Sequence, residues 1–186
     1  MSVKTFGSEI LTSSDVNTYL ANSGLVYVTS STFAGATTVS FNNCFSSTYT
    51  NYRVILTLTG STAGGFSHFR LRSGGSDLTG NNYYRYGYTV AYTGGFAQYN
   101  AGGGNSFLPV GQWGGGLIST AVMDVCEPMT ANRTNWFMNL NDTGAGASYN
   151  LNGLIDLTTA CDGFSIFQNG GGTITGTVTV YGYRKA

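Results

Sequence analysis

The residues that most often carry acid–base or nucleophilic chemistry are sparse in this sequence. Asp124 and Glu127 are the only close acidic pair, whereas a glycosidase needs two carboxylates on either side of a sugar bond. They flank Cys126 just before Pro128, so a role in loop structure fits them better than catalysis. His68 is the single histidine, and no nucleophile or acid partner stands near it. The sequence therefore supports neither a catalytic triad nor a zinc site.

Four arginines form the other candidate site. They alternate with apolar residues or lie close by in the chain, and they are Arg53, Arg70, Arg72 and Arg85. Such a set could bind an anion, but a solvated sheet face or a contact between subunits is the better explanation. The glycine clusters do not form a phosphate-binding loop, because no lysine lies between Lys4 and Lys185.

The cysteines indicate a reduced, metal-free chain. Cys44, Cys126 and Cys161 are odd in number and far apart. They are read as buried free thiols rather than as a disulfide or a metal site. We therefore predict that the protein has no catalytic residue, no cofactor and no metal, and that it is not an enzyme.

The aromatic tract over residues 81–113 is the more informative feature. Tyrosine among glycine and asparagine makes adaptable contact surfaces, and aromatic rings can also stack on sugar rings. The alternative is that these rings pack under loops or against a sister subunit. The candidate interface or glycan-contact residues are Tyr83, Tyr84, Tyr86, Tyr88, Tyr92, Phe96, Tyr99 and Trp113.

The stretch from Tyr49 to Gly87 predicts the elements that position this tract. Val54, Leu56 and Leu58 alternate with polar or β-branched residues, which is the main signal of a strand. A second alternating run begins at His68, beyond a break of small residues. We expect two paired strands, as a β-hairpin or meander, followed by a tyrosine-rich turn. Beyond it, one face of a strand or extended loop is formed by Tyr84, Tyr86, Tyr88, Val90 and Tyr92.

The rest of the chain from Leu25 onward reads as short strands separated by turn residues. The last run, 173–183, alternates threonine and tyrosine with valine, isoleucine and glycine. About eight such strands indicate an all-β fold, a two-layer antiparallel β-sandwich that is jelly-roll-like. We assign it to residues 25–186.

Residues 1–24 differ from this pattern and predict an anchoring segment. Thr12 and Asp15 fit a capping box, which predicts a short helix over 13–22. A helix of about ten residues is not stable alone in water, so it must dock on its own domain, on a sister subunit or on another protein. The candidate anchoring residues are Leu11, Val16, Tyr19 and Leu20.

Composition favours assembly over nucleic-acid binding. Only 9% of residues are charged and the formal net charge is zero, which argues against an electrostatic nucleic-acid binder. Near-zero net charge promotes association, so we predict a homo-oligomer. The N-terminus shows no secretory signal, and no apolar run is long enough to span a bilayer.

Several segments carry a resemblance to a known group of proteins. They are the opener ILTSSDVNTYL, the stretch YTNYRVILTLTGSTAG with FRLRSGGSDLTGNNYYRYG, the strand end MDVCEPM, and the ending CDGFSIFQNGGGTITGTVTVYGYRK. Together they resemble small virion proteins of tailed bacteriophages and cyanophages, including fibre-tip and surface proteins. Residues 94–116 match this group least.

The resemblance implies a non-enzymatic virion structural protein, displayed as a head decoration or as a short tail or head fibre. It implies a trimer, other virion proteins as partners, and synthesis in the host cytoplasm without a signal peptide. The alternative is a glycan-binding receptor-recognition module, an adhesin that uses the aromatic tract. A polysaccharide-degrading spike is disfavoured by the short chain and the missing carboxylate pair.

Overall fold

The computed structural model describes residues 3–5, 8–10, 24–60, 65–113, 117–169 and 171–184. This part of the chain is all-β and contains sixteen strands. They are β1 (Val3–Thr5), β2 (Ser8–Ile10), β3 (Leu25–Ala36), β4 (Thr38–Phe41), β5 (Asn51–Gly60), β6 (Gly65–Ser73), β7 (Ser76–Asp77), β8 (Tyr83–Ala91), β9 (Phe96–Gln98), β10 (Ala101–Asn105), β11 (Leu108–Trp113), β12 (Ile118–Cys126), β13 (Thr134–Asp142), β14 (Ala147–Ile155), β15 (Gly163–Asn169) and β16 (Ile174–Tyr183).

Two antiparallel sheets contain most of these strands. The larger, nine-stranded sheet has the order β10-β8-β14-β13-β12-β5-β16-β3, and β9 pairs with β8. The smaller, five-stranded sheet has the order β11-β6-β15-β4, and β7 pairs with β6. Among the described residues, β1 and β2 form a separate two-stranded sheet. The predicted all-β fold with two antiparallel layers is confirmed.

The core lies between the two sheets because both have one apolar face. In β13 the burial alternates residue by residue, with Trp136, Met138 and Leu140 inside. From the smaller sheet, Phe69 and Ile166 join the same buried cluster. Burying a large apolar side chain contributes about 1.5–3 kcal/mol relative to leaving it exposed, so these alternating positions hold the layers together.

One close backbone approach ties the tyrosine-rich strand to the core. A Cβ placed on Gly153 of β14 would lie 2.0 Å from the Tyr84 carbonyl oxygen of β8 and 3.1 Å from the Trp136 ring. Only glycine fits there without a shift of the backbone. The Trp136 indole N–H donates to the same Tyr84 carbonyl at 3.2 Å, which fixes β8 beside β14.

The predicted pairing of the two strands in the 49–87 stretch is wrong. Strand β5 pairs with β12 and β16 in the larger sheet, whereas β6 pairs with β11, β15 and β7 in the smaller one. Residues 83–91 form strand β8, so of the two interpretations of this tract the strand is right and the tyrosine-rich turn is wrong. Both β5 and β6 alternate as expected, but alternation does not specify a partner strand.

The predicted N-terminal helix over 13–22 lies outside the described residues, as do the anchoring candidates Leu11, Val16, Tyr19 and Leu20. The assignment of 1–24 as an anchor therefore stays a prediction. Within the described ranges, no helix has the length and apolar character needed to cross a membrane. The three cysteines are free thiols; two are buried, and Cys126 is half-buried.

Candidate functional site

The outward-facing side of the larger sheet, hereafter the outer face, is the candidate site. Antiparallel register places residues of neighbouring strands in rows across it. One row runs from Tyr88 through Asn150 and Asn139 to Val122 and Ile55. Every second residue of each strand therefore contributes to one continuous surface.

Aromatic rings crowd the part of this surface formed by β8 and β9. Tyr86 and Tyr88 alternate outward along β8 and are both exposed, as is Tyr92 in the turn that follows. Phe96, at the start of β9, is 69% exposed. Its ring stacks on Tyr88 with centroids 5.5 Å apart and an interplanar angle of 29°. We call these four residues the tyrosine edge.

Side-chain amides occupy the neighbouring strands. Asn150 donates to the Asn139 side-chain oxygen at 2.7 Å, directly across the β13–β14 pair. One row further, Ser148 donates to the Asn141 side-chain oxygen. Because each amide carries two donors and an acceptor with two lone pairs, these pairs leave hydrogen-bonding capacity that faces outward.

Rings and amides meet in a depression on the outer face. Its lining is Tyr88, Val90, Asn139, Leu140, Asn141, Ser148, Tyr149 and Asn150, and we call it the tyrosine–asparagine depression. None of these residues is charged. Aromatic faces beside neutral donors and acceptors suit a neutral ligand that has an apolar ring face and hydroxyl groups, which is the chemistry of a sugar.

A second depression lies on the same face, centred on β12 and β13. Its lining is Asn51, Asp124, Cys126, Phe137 and Tyr183, and we call it the phenylalanine depression. Phe137 is 55% exposed there, although it stands in the middle of the sheet. It was not among the predicted site residues. The signal was present, since alternation puts Phe137 opposite the buried Trp136 and Met138.

An ion pair organises this second depression. Arg53 donates from Nε and Nη2 to the two oxygens of Asp124 at 2.8 and 2.7 Å, and the Tyr183 hydroxyl donates to Oδ1 at 2.7 Å. Partial burial alone would raise the pKa of Asp124, but these hydrogen bonds from Arg53 and Tyr183 hold it below its usual value. Burial and the bond to Asp124 raise the pKa of Tyr183 to about 12.

The predicted contact residues divide between surface and interior. Tyr83 is fully buried, and its hydroxyl donates to the Leu78 carbonyl at 2.8 Å, so it belongs to the core. Tyr84 is half-buried. Tyr99 is also half-buried and packs edge-on against Tyr149 at 5.2 Å.

The remaining predicted residues lie on two different sheets. Trp113 ends β11, in the smaller sheet. Tyr86, Tyr88, Tyr92 and Phe96 are the ones brought together on one exposed surface.

The four arginines do not gather into one anion site. Arg53 pairs with Asp124, and Arg72 with Asp77. Arg70 donates to the Ser106 carbonyl at 2.7 Å and lies 4.3 Å from the centroid of the Phe167 ring. Arg85 lies 4.7 Å from the centroid of the Tyr99 ring.

His68 is buried on the outward-facing side of the smaller sheet. Its ring centroid lies 3.8 Å from that of Phe107 and 5.4 Å from that of Phe167. Burial first, and then the charges of Arg70 and Arg85, lower its pKa to about 4. The imidazole is therefore neutral at pH 7 and acts as a flat packing group.

Comparisons with protein families and with curated proteins find no relative. No protein-family model and no curated protein matches this sequence. In the described part of the chain, no group of three or more histidine, cysteine, aspartate or glutamate side chains could hold a metal ion. A proposal about function therefore starts from the outer face of the larger sheet.

Proposed function

We propose that the protein is a non-enzymatic structural protein of a phage virion, displayed on the particle surface as a head decoration or as a short tail or head fibre. The observation that carries this proposal is the outer face, which exposes several large aromatic side chains among neutral polar ones. Isolated exposed apolar residues are normal, but a cluster such as the tyrosine edge marks a contact site. The resemblance of several segments to phage virion proteins supports the same function.

The finer architecture belongs to this proposal. We infer that the two sheets form a jelly-roll-like sandwich, an architecture that viral capsid and lectin domains use. We further propose that residues 1–24 anchor the protein to the particle and that three copies associate. Tyrosine, which has an apolar body and a polar tip, is enriched at such interfaces.

Labelling of purified particles tests the location directly. Antibodies raised against the protein should label intact virions of the phage that encodes it, and mass spectrometry of washed particles should detect the chain. Its recovery only in the soluble lysate would contradict the proposal. Light scattering on the purified protein should give three times the mass of one chain; the mass of a single chain at micromolar concentration would overturn the trimer.

Full-length variants test the anchor. Val16→Asp combined with Leu20→Asp should abolish incorporation into particles, because both side chains are predicted to share the apolar face of the helix. Thr18→Asp, on the opposite predicted face, is the matched control and should be incorporated normally. Normal incorporation of the double variant would show that this segment is not the anchor.

A second candidate function is glycan binding, and the tyrosine–asparagine depression favours it. Its lining offers an exposed ring, paired amides and no charge. Binding of host-surface sugars would make the displayed protein a receptor-recognition module. This function is compatible with the first one, because a surface protein of a virion can carry both.

A glycan array with variants tests this second function. The wild-type protein should bind a subset of neutral glycans, and Tyr88→Ala should remove that binding. Thr177→Ser, an exposed position of the same face on β16, should leave it unchanged. An array without signal for the folded wild-type protein would reject glycan binding. Release of reducing sugar from a bound polysaccharide would instead support the depolymerase alternative.

A further inference from the structure

We infer that the sugar site continues from the tyrosine–asparagine depression onto Phe137, so that its ligand is a linear neutral oligosaccharide lying across the outer face rather than a single terminal sugar. This inference rests on the glycan-binding function proposed above. It adds a second subsite, assigns Phe137 to it and defines the form of the ligand.

The two depressions share strand β13. Both include β13, which supplies Asn139 to one and Phe137 to the other. These residues are two apart and point to the same side, about 7 Å from each other along the strand. Asn152 lies beside Phe137 in the register of β14, and Asn150 lies beside Asn139. Amides therefore line the path from one depression to the other.

The Phe137 ring stands between polar residues on the neighbouring strands. Its two direct cross-strand neighbours are Asp124 and Asn152, both of which are polar. The core of a protein–protein interface is depleted in charge and packs apolar groups together. A single exposed ring between a carboxylate and an amide instead resembles a sugar subsite, where the ring stacks and the polar groups receive or donate hydrogen bonds.

The charged groups of this subsite are Asp124 and its partner Arg53. Asp124 accepts two hydrogen bonds at Oδ1 and one at Oδ2. A carboxylate offers about four acceptor positions, so Oδ2 retains one for a ligand hydroxyl. The guanidinium of Arg53 balances the carboxylate charge. The subsite is thus polar without net charge, which favours a neutral sugar over an acidic or cationic one.

Calorimetric titration with oligosaccharides of increasing length tests the inference. The probes are malto-, cello- and manno-oligosaccharides from monosaccharide to hexasaccharide, and the protein is the full-length chain. For the series that binds, affinity should rise by about tenfold, the change that 1.4 kcal/mol produces, and then reach a plateau. The rise should occur once the chain is long enough to reach Phe137.

Variants assign the gain to the second subsite. Phe137→Ala should lose the length-dependent gain while keeping the affinity for the shortest ligands. Phe137→Tyr keeps a ring and should retain the gain, and Thr177→Ser should resemble the wild type. Tyr88→Ala should weaken binding of every length. Thermal unfolding of each variant confirms that the fold is intact.

The outcomes separate the inference from the function beneath it. Affinity that does not depend on length, or a full gain in Phe137→Ala, would overturn the second subsite and leave glycan binding standing. No binding of any neutral oligosaccharide by the folded protein would reject glycan binding and this inference with it. A change in oligomeric mass for Phe137→Ala would place the ring at a contact between copies, and would also overturn the subsite.

Discussion

The outward-facing sides of the two sheets differ in what covers them. On the larger sheet, rings and amides face outward, and Phe137 stands exposed in the middle. On the smaller sheet, two polar residues of the equivalent side are buried: His68 is 4% exposed and Ser165 is fully buried. The rings of Phe107 and Phe167 pack against His68, and the Arg70 guanidinium lies over the Phe167 ring.

This difference shows that a polar sheet face is not by itself a binding surface. Burial of these polar residues costs free energy. In the described part of the chain, His68 Nδ1 and Ser165 Oγ are buried without a hydrogen-bond partner. A buried, unpaired polar group costs about 1–3 kcal/mol. The outer face of the larger sheet avoids this cost because its asparagines, Asn139, Asn141, Asn150 and Asn152, stay in contact with solvent. The smaller sheet should therefore be sensitive to mutation and pH, and the outer face of the larger one tolerant.

The largest expected effect comes from truncating Phe107, which packs against His68 on the outward-facing side of the smaller sheet. Phe107→Ala should lower the free energy of unfolding by about 2 kcal/mol, which is less than the 3–5 kcal/mol of a fully buried phenylalanine because Phe107 is only half-buried. Denaturant unfolding followed by fluorescence measures it. A loss under 0.5 kcal/mol would show that Phe107 does not hold this side closed.

The next effect is a pH dependence that originates at His68. Its pKa is lowered to about 4 in the folded protein, against about 6.5 in the unfolded chain, so the unfolded state binds more protons between these values. Stability from this group is complete well above pH 6.5 and is lost as pH falls toward 4; at pH 5 the loss is about 2 kcal/mol. His68→Phe should flatten this part of the stability profile. An unchanged profile in the variant would mean that His68 is not the group responsible.

A smaller effect is expected for the ion pair on the outer face. Asp124→Asn removes the charge that Arg53 and Tyr183 both contact and should cost about 1 kcal/mol at pH 7, since the pair is partly exposed. The difference from wild type should shrink as pH falls through the lowered pKa of Asp124, because the wild-type carboxyl is then protonated too. A difference that persists at pH 2 would point to packing instead of charge.

The smallest effect is the one that best separates the two sides. Phe137→Ala should change the free energy of unfolding by less than about 0.5 kcal/mol, as is usual for exposed positions. It serves as the matched control for Phe107→Ala, because the same side chain is removed from the other outward-facing side. A loss as large as that of Phe107→Ala would mean that Phe137 is a structural residue, and the two sides would then not differ.

Alternation along single strands could be predicted from the sequence. Val54, Leu56 and Leu58 are buried on one side of β5 as expected, and Trp136 and Met138 on one side of β13. The faces are local properties with a period of two residues. The pairing of β5 with β6 was predicted wrongly, because neighbouring strands in the chain can join different sheets and the sequence between them does not reveal which.

The candidate site was predictable only in part. The alternation of Tyr84, Tyr86 and Tyr88 along one side of a strand was visible in the sequence, and the structure bears it out. Tyr83 was predicted as a contact residue, but the same alternation places it on the buried side of the strand. The phenylalanine depression could not be predicted, since Asp124, Phe137 and Tyr183 meet only through the register of three separate strands.

The alternation in β13 and β14 has a consequence for how this protein can change over generations. Positions that hold the sandwich together and positions that touch the surroundings alternate along the same strands, so each kind can vary almost independently of the other. Asn139, Asn141, Asn150 and Asn152 can be replaced with little penalty to folding. A population under pressure to recognise a new surface would accumulate substitutions at the outward-facing positions, which are odd-numbered in β13 and even-numbered in β14. The inward-facing residues between them would stay fixed. The same property makes the outer face a natural site for randomised libraries.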